Sequence, residues 1–208
     1  MVRNKIYAIV EGHGEAKPPT PGQLPAVYVL MNKLLLDLHC WTLFPAIKAV
    51  PWRMFSSGDF FAKGKLEQII RAHKKEQDCA AILVLLDLDD DCPAEKGPKI
   101  AERIRTMEEL PFSVAVVCAK CEYEAWFLAS LESIHPGNSY PDNPEEIRAA
   151  KGWLKRKFAY REARDQSRYT QAIDIETAWM RSRSFQRLYR AFEQIVEAHQ
   201  NGKPVITP

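Results

Sequence analysis

AAILVLLDLDDD, residues 80–91, begins with seven apolar residues and stops on acid at Asp87. An unbroken apolar run of that length reads as a strand buried on both faces, the kind that a parallel sheet makes. Working outward, IYAIV (6–10) is a second such strand, ending on Glu11 and Gly12, and FSVAVVC (112–118) is a third. AIKAV (46–50) is a weaker candidate. Between these runs the apolar spacing changes to three and four. Leu24, Val27, Met31, Leu34, Leu35 and Leu38 make one helix, and Leu66, Ile69, Ile70 and His73 line one side of another near the end of 60–76. A helix from about Pro98 to Glu109 and one over CEYEAWFLASL (121–131) follow. The alternation predicts an α/β fold, a Rossmann-like parallel sheet between helices with right-handed crossovers.

Beyond residue 135 the texture changes. HPGNSYPDNP (135–144) is loop by its prolines, glycine and asparagines. The remainder is helical, ending in a helix whose apolar face is Phe185, Leu188, Tyr189, Phe192, Ile195 and Val196. The expected organisation is an α/β core over 1–135 and a basic helical extension over 136–208. The extension is expected to pack on the core, because so short a segment makes a thin core alone.

At 208 residues the chain can bury a sizeable core. No apolar run approaches the ~20 residues that span a bilayer. The start, MVRNKIYAIVEG, has only a short apolar run closed by glutamate, unlike a signal peptide, so a cytoplasmic protein without a membrane partner is expected. Of the five cysteines only Cys118 and Cys121 have a CxxC spacing, with no second pair to complete a zinc site, so reduced thiols are expected. Charge is unevenly spread. Residues 1–144 carry 16 Lys/Arg against 19 Asp/Glu, and residues 145–208 carry 13 against 8. An acidic front and a basic back suit a metal site beside a polyanion-holding surface, although solvated helix faces give the same totals.

In such sheets ligands bind outside the carboxyl ends of the strands. Glu11, followed by Gly12, His13, Gly14 and Glu15, stands at that edge, as do Asp87, Asp89, Asp90 and Asp91. Asp87 and Asp89 share one side of an extended chain. Paired carboxylates repel unless a cation sits between them, and a hard divalent ion such as Mg²⁺ takes their oxygens while keeping waters for a phosphate.

IYAIVEG and LVLLDLD resemble the Toprim domain, shared by topoisomerases, bacterial primases, small RNA-maturing nucleases and overcoming-lysogenization-defect nucleases. CEYEAWFLAS and RSRSFQRLYRAF are similar to uncharacterised bacterial Toprim-like proteins of about this length. Members of that group tend to be encoded near ATPases, some of them suspected in phage defence. The Toprim likeness covers about residues 5–130 and the closer one nearly the whole chain. The resemblance implies a Toprim-like sheet with Glu11 as metal ligand or acid/base. It implies Asp87 and Asp89 as the metal-binding pair for Mg²⁺ or Mn²⁺, Asp91 as a third acid and Glu15 as the second acid of nuclease-like branches. It favours Glu124 over Glu122, which lies about 200° away around a helix and cannot face the same site. Gate domains and a nucleophilic tyrosine are missing from the motifs, so DNA relaxation is not implied.

Three further features have open readings. His13 could ligate metal or contact phosphate, or be an exposed loop histidine. Lys120, at a strand end, could neutralise a phosphate or be solvated. KGWLKRKFAYREARDQSR (151–168) interleaves Lys155, Arg156 and Arg161 with Trp153, Phe158 and Tyr160. That suits a surface tracking DNA or RNA with stacking aromatics, while helical aromatics also serve as core. The expected function is a Mg²⁺- or Mn²⁺-dependent nuclease working with an operon-encoded ATPase. The rival is a non-catalytic scaffold or regulatory subunit. A nucleotide-binding doubly wound domain is weakened by the lack of GxGxxG or GxxxxGK[ST].

Overall fold

The computed structural model describes residues 2–18, 22–51, 64–88 and 92–208, with the backbone alone for residues 13 and 14. In chain order the elements are β1 (Lys5–Val10), α1 (His13–Ala16), α2 (Ala26–Asp37), β2 (Phe44–Pro51), α3 (Lys65–Ala72), β3 (Cys79–Asp87), α4 (Pro93–Arg105) and β4 (Ser113–Ala119). Then come α5 (Ala125–Ala129), α6 (Leu131–Ile134), α7 (Ala150–Phe158), α8 (Glu162–Ala172), α9 (Ile175–Arg181), α10 (Arg183–Asn201) and β5 (Ile206–Thr207). The strands form one five-stranded sheet in the order β2-β1-β3-β4-β5, and every neighbouring pair is parallel. The expected α/β, Rossmann-like arrangement is what the chain adopts.

The two-residue period of the strands sorts their side chains into two layers. Ile6, Ala8, Val10, Leu83, Leu85, Ala115 and Val117 face one cluster with α2, α5, α8 and α10. Ile9, Ile82, Val84, Leu86, Val114 and Val116 face the other, against Leu66 and Ile70 of α3 and Ile100, Ala101 and Ile104 of α4. Both faces of β3 and β4 are therefore covered, which is why these strands read as unbroken apolar runs. The helices beyond residue 135 share the first cluster, through Leu154, Tyr169, Phe185, Leu188 and Phe192.

Three local departures from the expected elements have physical reasons. α4 starts at Pro93, because that proline, and not Pro98, takes the first helical position after Cys92. The helix expected over 121–131 breaks at Ser130 (φ −119°), whose hydroxyl accepts the Asp174 amide at 2.7 Å. β5 was not among the expected strands, since two residues carry no periodicity. It pairs with Val114 and Ala115, in the first half of β4, on the side opposite β3.

Among the described residues, no helix is long and apolar enough to cross a membrane.

Candidate functional site

The strand order puts the switch between outward-running connections at β1 and β3, where sheets of order 2-1-3-4-5 open a crevice at their carboxyl ends. Glu11, one residue past β1, reaches across that boundary. Its Oε2 accepts the Asp87 amide at 2.8 Å. Asp87 closes β3, and its own Oδ1 accepts the Tyr123 amide at 2.9 Å from the turn after β4. Each acid is thus oriented by the backbone of the next strand end. Cys121 sits in that turn with φ +61°, a left-handed conformation that a side-chain-bearing residue adopts only under tertiary constraint. The constraint swings Tyr123 and Glu124 toward Asp87.

Two more acids join them. Glu15, in α1, is buried, with Oε2 accepting the Gly12 amide at 3.1 Å and Oε1 the Gln166 side chain from α8 at 3.1 Å. Glu124 is fully buried beside the start of α5. Its Oε1 accepts the Tyr160 hydroxyl at 3.0 Å and lies 3.8 Å from Lys151 Nζ, while Oε2 is buried without a hydrogen-bond partner among the described residues. Lys151 also holds Glu162 at 2.6 Å.

Burial and crowding of like charge set the protonation. Asp87 keeps a partly open side but its carboxyl sits in dense protein. Burial first, then Glu124, Glu15 and Glu11, push it well above the usual carboxylate range against the pull of Lys151. Burial likewise pushes Glu124 up to about 8, Lys151 opposing and Glu15, Glu162 and Glu122 adding. Lys151 loses some basicity to burial, but Glu124 and Glu162 outweigh this and raise it. So many buried acids with one lysine call for protons or a cation. The donor chemistry, carboxylates with one oxygen left over, fits a hard divalent ion. Among the described residues no group of three or more His, Cys, Asp or Glu side chains is placed to hold a metal ion.

The comparisons with known proteins bear on family and not on chemistry. A model of a domain of unknown function, DUF4276, matches residues 25–193. The chain belongs to the DUF4276 family. No curated protein and no solved structure matches it. The DUF4276 match takes in Asp87, Glu124, Lys151 and Tyr160 and begins after Glu11 and Glu15.

The remaining sequence candidates are distributed as follows in this DUF4276 chain. Asp89, Asp91 and the His13 side chain lie outside the described residues. Lys120 pairs with Glu146 at the surface. Lys155, Arg156 and Arg161 are exposed, and among the described residues none contacts the carboxylates. Tyr160, read as a stacking aromatic, is core, its hydroxyl given to Glu124. Phe158 stacks on His135 at 3.8 Å between centroids and Trp153 lies beneath Lys157. Glu122 caps α7 by accepting the Lys151 amide at 2.8 Å; both glutamates of EYE precede α5, so helical spacing does not separate them, and each meets a different part of Lys151. Cys118 and Cys121 are buried thiols, and Cys121 donates to the Glu145 carbonyl at 3.6 Å.

Sequence reasoning missed Lys151, Gln166 and Glu145. Glu145 is buried and accepts from the Ser182 hydroxyl at 2.8 Å and from the amides of Arg183 and Ser184 at 2.9 and 2.8 Å. The serines of RSRS therefore serve to seat a carboxylate at the start of α10. Its one legible signal is Ser182, a capping residue before an apolar-periodic run. Glu145→Ala would strand these buried donors and is expected to cost about 2–4 kcal/mol, read as a lower urea midpoint at unchanged m.

Proposed function

We propose that this DUF4276 protein is a Mg²⁺- or Mn²⁺-dependent phosphodiester-cleaving enzyme of Toprim type, acting on DNA or RNA. The observation that carries the reading is the Glu11–Asp87 contact at the switch point, with the buried Glu124 beside it. Glu11 and Asp87 would hold the ion, with Asp89, Asp91, Glu15 and Glu124 as further ligands. A bound divalent ion there supplies an acidified water and neutralises charge growing on a phosphate. The chain supplies the rest. The Asp87 and Tyr123 amides fix the two carboxylates, Lys151 limits their repulsion, and Glu124 can hold a proton near neutral pH. Cytoplasmic residence, an operon-encoded ATPase partner and a part in phage defence belong to the same reading through the resemblance to Toprim-like proteins. A scaffold that does not cut is the rival, and it would gain nothing from keeping several repelling acids buried together.

The test is cleavage of single- and double-stranded DNA and RNA with Mn²⁺ or Mg²⁺, alone and with any ATPase encoded alongside. Glu11→Gln is expected to lower the rate more than about 100-fold while keeping the melting temperature. Cleavage that persists in Glu11→Gln would exclude this site. A protein that binds neither Mn²⁺ nor nucleic acid, with its ATPase present, would be a scaffold.

A further inference from the structure

Along the outer edge of β4, past its pairing with Ile206 and Thr207, a groove lies between α4 and α10. Two hollows make it up, one of about 370 Å³ beside Val116–Cys118 and one of about 600 Å³ reaching Lys120 and Glu145. They meet at Pro93, Ala94 and Arg187. The α10 wall carries Arg183, Arg187 and Arg190, spaced four and three residues apart and hence on one stripe roughly 10 Å long. Among the described residues none of the three guanidinium groups forms an ion pair with a carboxylate. The acids nearby are already engaged: Glu145 by the start of α10 and Glu146 by Lys120. Glu145 is held by neutral donors and so keeps its charge, but it is one carboxylate against three guanidinium groups, and the groove carries an excess of positive charge. Lys120 and Cys92, at its upper end, directly follow β4 and precede α4, so it opens at the same sheet edge as Asp87.

We infer that this groove is the nucleic-acid track of the protein, with Arg183, Arg187 and Arg190 holding successive phosphates of one strand and leading it to the carboxylates. The inference rests on the phosphodiesterase reading for its direction but not for its binding. Guanidinium groups on a helix stripe match backbone phosphates by charge and by bidentate geometry, without reading sequence. The basic segment 151–168 is then a second surface and not the track: its Lys151 points into the acid cluster and its Tyr160 into the core.

The experiment measures fluorescence anisotropy of labelled DNA and RNA oligonucleotides in EDTA over a salt series, so that binding is read without cleavage. Arg183→Gln/Arg187→Gln/Arg190→Gln is expected to weaken binding at least about 10-fold and to reduce the slope of log K against log salt by about 2 to 3. Lys48→Gln/Arg71→Gln/Lys75→Gln removes equal charge from β2, α3 and the turn after α3 and is expected to change neither. Circular dichroism melting confirms that both variants fold. A triple arginine variant that binds as the wild type does, with the same slope, overturns the track. So does a wild type that binds neither DNA nor RNA, or one from which poly-glutamate displaces the oligonucleotide as well as unlabelled strand does, which would assign the groove to an acidic protein. Hydrolysis of bis(p-nitrophenyl) phosphate by the wild type with Mn²⁺ is followed separately. Its absence would count against the carboxylate site and leave the binding result to decide the groove.

Discussion

Asp87→Asn is expected to melt higher than the wild type in EDTA and to be the more damaging change once Mn²⁺ is present. Its carboxyl is crowded by Glu124, Glu15 and Glu11 in a buried setting, so neutralising it removes a repulsive contribution on the order of 1 kcal/mol. The amide keeps an oxygen for the Tyr123 N–H, so the turn after β4 is preserved. Any ion that binds only the folded form stabilises it by RT ln(1 + [L]/Kd), about 2.7 kcal/mol at 100 times Kd. The wild type should therefore gain several degrees with Mn²⁺ and the variant almost none, and the two melting curves should change order. Cleavage should fall in parallel with Glu11→Gln, by more than about 100-fold. Marked destabilisation of Asp87→Asn in EDTA would instead show that the carboxylate serves as structure.

The second large effect is on pH. Glu124 has a folded pKa near 8 against an unfolded value near that of free glutamate, and Asp87 is raised in the same sense. The folded state therefore holds protons that the unfolded state has already released. For Glu124, stability falls as pH rises through the interval from about 4.5 to about 8 and levels off above it, and Asp87 adds a decline of the same sign. The loss amounts to a few kcal/mol, in chelator-containing buffer where no ion replaces the proton. Glu124→Gln should be close to the wild type near pH 5, more stable at pH 8, and flatter between, its amide still accepting from Tyr160. Urea denaturation at a series of pH values measures this. An equally steep decline in Glu124→Gln would mean that other groups carry the linkage.

How much of this was legible along the chain varies with the range of the interaction that decides each feature. The apolar runs at 6–10, 80–86 and 112–118 determined three strands of a parallel sheet, and their acidic ends determined that Glu11 and Asp87 stand at one edge. A strand buried on both faces has to be apolar throughout, and the residue at which it surfaces is marked by the first charge. The period of 3.6 likewise fixed the buried face of α10, with Phe185, Leu188 and Phe192 at its centre.

The neighbours were decided by tertiary structure. That β1 lies beside β3, so that Glu11 can accept the Asp87 amide, depends on the order in which strands enter the sheet, and no local pattern encodes that order. Lys151 and Tyr160 read as parts of a basic, aromatic surface because helical spacing reports a face but not what the face meets. Only the fold sets Glu124 against them, 27 and 36 residues away in sequence, and turns both inward. The reverse holds for Arg183, Arg187 and Arg190: their charge is plain in the sequence, but they line a groove only because the fold lays α10 beside α4 along the outer edge of β4. Sequence determines what a residue can do within a turn of helix or a few residues of strand. Which distant groups share its low-dielectric surroundings, and so whether a carboxylate keeps its proton, is determined by packing.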